Sequence, residues 1–166
     1  MLLHRTLPCL VFTAMTALAA VRPAPVVLDT DIGDDIDDAL ALSLALQSPE
    51  LKVLAVSTVL QHGDERAALV EKILELYGRT DIPVGVGAEQ TLMGAPSNAV
   101  VIQTKALPPG SRVKGGRVNG IELLLDTIRK SPEKVSILAY GPLTNIALLL
   151  RSDATIREKI ERIVLM

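Results

Sequence analysis

The 166-residue sequence has no tryptophan, one phenylalanine, two tyrosines and a single cysteine. So few aromatic rings leave little on which nucleic-acid bases could stack, and a net charge of −2 gives no basic footprint. Nucleic-acid binding is therefore not expected. The lone cysteine, Cys9, sits in an apolar leader. Loss of that leader excludes a disulfide framework, a thiolate nucleophile and a cysteine metal site. Apolar residues at 49% and charged residues at 22% are the balance of a globular chain rather than a disordered one. Its core must come from Leu, Ile, Val and Ala, and its length suits one domain.

The first 20 residues read as a cleavable signal peptide. Met1 to Arg5 is short and cationic, Thr6 to Ala20 is apolar, and Ala17 to Ala20 offers small residues for cleavage. Pro8 interrupts the run, which is too short to span a bilayer. The expectation is a secreted or periplasmic protein with no stable membrane anchor after cleavage. A folded domain then occupies residues 24–166.

Strand and helix patterns alternate along that domain. Val26-Val27-Leu28 reads as a buried strand, and Lys52–Thr58, Pro83–Gly87, Val135–Ala139 and Ile163-Val164-Leu165 read as further strands. Asp38–Gln47 reads as a helix so apolar that burial on both sides is expected. Asp64–Tyr77 is amphipathic, with Ala67, Val70, Leu74 and Tyr77 on the apolar stripe and Arg66 off it. Gly78 closes that helix. Residues 88–118 have no period and read as a long loop, and Asn119 with Glu122 opens the next helix. Gly141-Pro142 starts another helix, running to about Arg151. A short helix at Ala154–Lys159 precedes the last strand. This order predicts an α/β fold with a mostly parallel, doubly wound sheet. The last strand has no following element to cover it, so the C-terminal half of the architecture is expected to be missing.

Asp29, Asp31, Asp34, Asp35, Asp37 and Asp38 crowd into ten residues after the first strand. Carboxylates packed this closely repel one another or take up protons. A hard divalent cation relieves both, since Ca²⁺ and Mg²⁺ prefer carboxylate oxygens. Asp34 and Asp35 are adequately explained as turn residues. Asp31, Asp37 and Asp38 together are not, because helix capping accounts for one of them. The spacing is not that of an EF-hand, which would place Gly at 34 and Glu at 40. Asp29 and Asp31 also suit the acidic pair of a haloacid-dehalogenase-type phosphatase, which stays open as an alternative.

The stretch from Asp29 to Leu42, DTDIGDDIDDALAL, resembles the N-terminal signature of the inosine-uridine-preferring nucleoside hydrolases, with Ile32 where the family has proline and a longer spacer. Ala55–Val59 followed by Gly63-Asp64 resembles the family's second strand and corner. Leu138–Ala147, LAYGPLTNIA, resembles its Gly-Pro-Leu-Thr-Asn-Ile-Ala segment. The resemblance implies hydrolysis of the N-glycosidic bond of ribonucleosides by a calcium-activated water. It places Ca²⁺ on the carboxylates of Asp31 and Asp38 and the main-chain carbonyl of Thr144. Asp37 takes the proton of the water, and Asp64 and Asp29 serve the substrate. For Asp64, capping of its helix is the competing role, and Asn145 reads as structural. A further calcium-ligating Asp and a leaving-group acid belong to a later half not seen in this sequence. His62 is expected to be simply exposed. The implied partner is a small-molecule nucleoside, its base unspecified, and a homo-oligomer is left open. A calcium- or ribose-binding derivative without turnover is the third alternative.

Overall fold

The computed structural model describes residues 22–94, 101–114 and 116–166. The leader with Cys9, and positions 95–100 and 115 of the long loop, lie outside the described residues. Five strands form one parallel sheet: β1 (Ala24–Thr30), β2 (Leu51–Thr58), β3 (Val84–Val86), β4 (Val135–Ala139) and β5 (Ile160–Leu165). Four α-helices connect or follow them: α1 (Asp37–Gln47), α2 (Gly63–Leu76), α3 (Gly120–Lys130) and α4 (Thr144–Ser152). Two 3₁₀ turns, Ile102–Ala106 and Ala154–Lys159, complete the elements of the described residues.

Alternate residues of the central strands feed two separate cores. Val26, Leu28, Val53 and Val56 meet Leu42 and Ala45 of α1 and Ala67, Val70 and Leu74 of α2. Val27, Ala55, Val135, Ile137 and Ala139 meet Leu124 and Ile128 of α3 and Ile146 and Leu149 of α4. Strands buried on both faces explain the unbroken apolar runs in the sequence. The expected doubly wound architecture is observed.

The strand order is β3-β2-β1-β4-β5. From β1 the chain winds outward to β2 and β3, then crosses to β4 on the other side. The carboxyl ends of β1 and β4 therefore diverge into a crevice, the place where open α/β sheets bind ligands.

Three details depart from expectation. The side of α1 away from the sheet is not buried: Leu40 is 62% and Leu44 70% exposed. Only one side of this helix has a layer to pack on, so its second apolar face meets solvent. Arg66 is fully buried rather than off the stripe. It lies four residues before Val70 and eight before Leu74, the spacing of the buried face. Helix α4 begins at Thr144 instead of Pro142. Gly141 and Pro142 are used in the turn that carries the chain past Asp31, where a side chain on Gly141 would approach Asp31 Oδ1 to 2.8 Å.

The cap expected at Asn119 is present, its Oδ1 accepting from Ile121 N at 3.0 Å and Glu122 N at 3.2 Å. Asn119→Ala should cost about 1 kcal/mol, read as a lower midpoint in urea with an unchanged slope.

Candidate active site

The acidic run occupies the β1–α1 connection. β1 delivers Asp29 and Thr30 at its buried end, a turn through Gly33 follows, and Asp37 and Asp38 form the first turn of α1. Gly33 has φ +127°, and a Cβ there would strike Val101, so the turn requires glycine. The helix N-terminus favours the two carboxylates of its first turn.

Asp31, Asp34, Asp35, Asp37, Asp38, Tyr140 and Met166 line a recess of about 190 Å³ at the mouth of the crevice. The Asp31 and Asp38 carboxyls lie within hydrogen-bond reach of each other. Burial is the main reason both carboxyls titrate above the ordinary range, and the charge of Asp38 raises Asp31 further. Asp38 is steadied by Thr30, whose hydroxyl donates to Oδ2 at 2.6 Å. Asp37 is exposed, and its Oδ1 accepts from Asp38 N at 3.1 Å.

Asp29 does not reach the recess. It is fully buried, with Oδ1 accepting from the Ser57 hydroxyl and, at 2.7 Å, from Asn145 Nδ2. Its Oδ2 has no hydrogen-bond partner among the described residues. Burial pushes Asp29 up to about 6, against the hydrogen bonds from Ser57 and Asn145, and the charge of Asp31 adds to the rise. A group this enclosed cannot be the solvent-facing nucleophile of the phosphatase alternative.

This burial has a signed pH consequence. The folded state holds the Asp29 proton more tightly than the unfolded chain, whose value is near 3.8. Its contribution to stability is greatest below that value and falls as pH rises to about 6, then levels. In chelator, wild type should therefore lose up to about 3 kcal/mol relative to Asp29→Asn across that window. Urea titrations of both proteins at a series of pH values would show a flat difference if Asp29 ionised freely.

Of the other predicted site residues, Thr144 is buried at the start of α4, and its amide donates to Pro142 O at 2.8 Å. It is not among the residues lining the recess. Asp64 is the second residue of α2, so it does not cap that helix; the cap position belongs to His62. Its carboxylate faces Arg112 Nη1 at 3.2 Å and Arg117 Nη1 at 3.6 Å, also outside the recess. His62 is half-exposed and pairs with Glu65 at 3.1 Å, in line with its expected role.

Two supports were not read from the sequence. Thr30 holds Asp38, for which no spacing rule exists. Arg66 reaches the acidic turn from α2, with Nη1 donating to Asp31 O and, at 2.9 Å, to Ile32 O, and Nη2 to Asp34 Oδ2 at 3.1 Å. Its place on the apolar stripe was the available signal. Asn145, read as structural, joins three strand ends. Besides Asp29, its Nδ2 donates to Thr58 O at 3.0 Å and its Oδ1 accepts from Ala88 N at 2.8 Å.

Among the described residues, no three carboxylate or imidazole groups gather as a ready cation cage. The donors present are nonetheless all oxygen, and burial raises the Asp31 and Asp38 carboxyls above the ordinary range. That chemistry fits a hard divalent ion better than a soft one.

Sheet order and acidic crevice together define a doubly wound α/β protein with an oxygen-donor site at its topological switch point. Residues 26–166 match the model of the inosine-uridine preferring nucleoside hydrolases, and the chain belongs to that family. It is 45% identical over 150 residues to a pyrimidine-specific ribonucleoside hydrolase, RihA, of Shewanella sp. (strain ANA-3), covering 86% of this chain and 46% of the relative. To uridine nucleosidase 1 of Arabidopsis thaliana it is 36% identical over 149 residues, covering 84% and 44%. The solved plant nucleoside hydrolase PpNRh1 superposes with a TM-score of 0.73 at 31% identity, covering 86% of this chain and 47% of that one. The chain thus spans about half the length of the curated relatives it matches.

Proposed function

We propose that the protein hydrolyses the N-glycosidic bond of ribonucleosides, and that the acidic recess is its cation and ribose end. The observation that carries this reading is the meeting of Asp31, Asp37 and Asp38 in one recess at the switch point of a nucleoside-hydrolase fold. Asp31 and Asp38 would hold Ca²⁺ through their carboxylates, with the main-chain carbonyl of Thr144 beside them. When bound, the cation supplies Lewis acidity that lowers the pKa of a coordinated water.

The chain's own residues account for the rest. Asp37, exposed on the rim, would accept a proton from the attacking water. The surrounding carboxylates favour the positive charge that develops on the ribosyl carbon as the base departs. Asp64 is assigned to the ribose, which requires it to exchange its arginine partners for sugar hydroxyls. Asp29, expected to bind the substrate, is enclosed behind the recess and instead holds Asn145 and Ser57 at the strand ends. A recess of about 190 Å³ is smaller than the roughly 300–1,000 Å³ of a complete small-molecule site. The pyrimidine-specific name of the RihA relative makes uridine and cytidine the first substrates to try. Export through the N-terminal leader is part of the same proposal.

The test is release of reducing sugar from uridine, cytidine and inosine by the protein as its source makes it, with and without chelator. Chelator-sensitive release supports the reading. Calcium binding without release would instead favour a binding protein derived from the hydrolase fold.

A further inference from the structure

Arg66 is the largest fully buried side chain among the described residues. Its guanidinium spends its donors on one small region. Nε donates to Gln61 O at 2.7 Å, Nη1 to the consecutive carbonyls of Asp31 and Ile32, and Nη2 to the Asp34 carboxylate. Filling the space does not require a charge, because apolar side chains of similar volume serve a core at least as well. What the planar fork supplies is fixed direction toward several acceptors at once.

Here those acceptors belong to two connections, the one leaving β1 and the one leaving β2. The two successive carbonyls immediately precede the turn at Gly33, whose φ is +127°. With the Asp31 and Ile32 carbonyl oxygens held by Arg66, the Asp31 carboxylate lines the recess together with that of Asp38. We propose that Arg66 is a positioning residue that sets the separation of the Asp31 and Asp38 carboxylates, and through it the cation affinity of the recess. The inference rests on the cation reading of that recess.

The experiment is calorimetric titration of Ca²⁺ into the intact protein and its variants. Arg66→Lys keeps the charge but loses the fork, and weaker binding by about 10- to 100-fold is expected. Leu74→Ala removes a core side chain from the same helix and should leave the affinity of the folded protein unchanged, as judged by circular dichroism. Equal affinities for Arg66→Lys and wild type, or an equal loss in Leu74→Ala, would overturn the proposal. If Arg66→Lys fails to fold, Asp34→Asn and Asp35→Asn decide. Each removes one charge, but only Asp34 holds the guanidinium, so Asp34→Asn should bind at least about 3-fold more weakly than Asp35→Asn. Equal binding by those two overturns the proposal as well. Absence of Ca²⁺ binding by wild type is a different failure, which removes the cation reading and this inference with it.

Discussion

Asp31→Asn is expected to weaken Ca²⁺ binding at least about 100-fold, more than loss of a supporting residue costs, and to reduce ribose release in parallel. In chelator the same substitution should stabilise the protein. Burial raises both the Asp31 and Asp38 carboxyls above the ordinary range, and the charge of Asp38 opposes ionisation of Asp31 further. An amide at position 31 can donate to Asp38 at every pH, so that conflict disappears. The gain should be about 1 kcal/mol, kept small by the partial exposure of Asp31. Opposite signs for the two measurements, a higher Tm without metal and a higher Kd with it, are the signature of a carboxylate retained for binding rather than for folding. Asp31→Asn that lowers the metal-free Tm would contradict that description.

Asn145→Ala carries the largest expected loss of stability. The side chain is fully buried and makes three hydrogen bonds, at 2.7, 3.0 and 2.8 Å, to Asp29, Thr58 O and Ala88 N. Its removal leaves the partly buried Ala88 amide without its acceptor and takes one donor each from Asp29, which keeps the Ser57 hydroxyl, and from Thr58 O, which keeps the Gly87 amide. Each neutral group left unpaired costs about 1–3 kcal/mol, and a charged one more. Asp29 can take up a proton to limit its share, so a total near 3–5 kcal/mol is expected. In a domain of this size that lowers Tm by roughly 10–15 °C. The double variant Asp29→Asn, Asn145→Ala should recover part of the loss, because the enclosed charge is gone. Strict additivity of the two substitutions would show that they do not communicate.

Much of this was legible in the sequence for definite reasons. Short runs rich in apolar residues and bounded by turn residues mark the central strands, and β4 falls at Val135–Ala139 as expected. The acidic cluster announced a site because six carboxylates in ten residues have no structural use that explains them all. Side-chain choices that depend on tertiary partners were not legible. Arg66 looks like a surface residue to any composition rule, and only the arrival of the Asp31–Asp34 turn over α2 gives its donors somewhere to go. The outward face of α1 misled for the opposite reason: periodicity reports which residues are apolar, and burial depends on whether a second layer lies over them. Strand order, and with it the switch point between β1 and β4, is a property of connections that no local pattern encodes.

Asn145 also offers a means of observation. The Ala88 amide, just beyond β3, is held by a side chain from α4, on the far side of the sheet from α1 and α2. Its hydrogen-exchange rate is therefore governed by whether β1, β2, β3 and α4 remain joined beneath the crevice. A single backbone proton can thus report the integrity of the site floor in unlabelled protein, before any substrate is known.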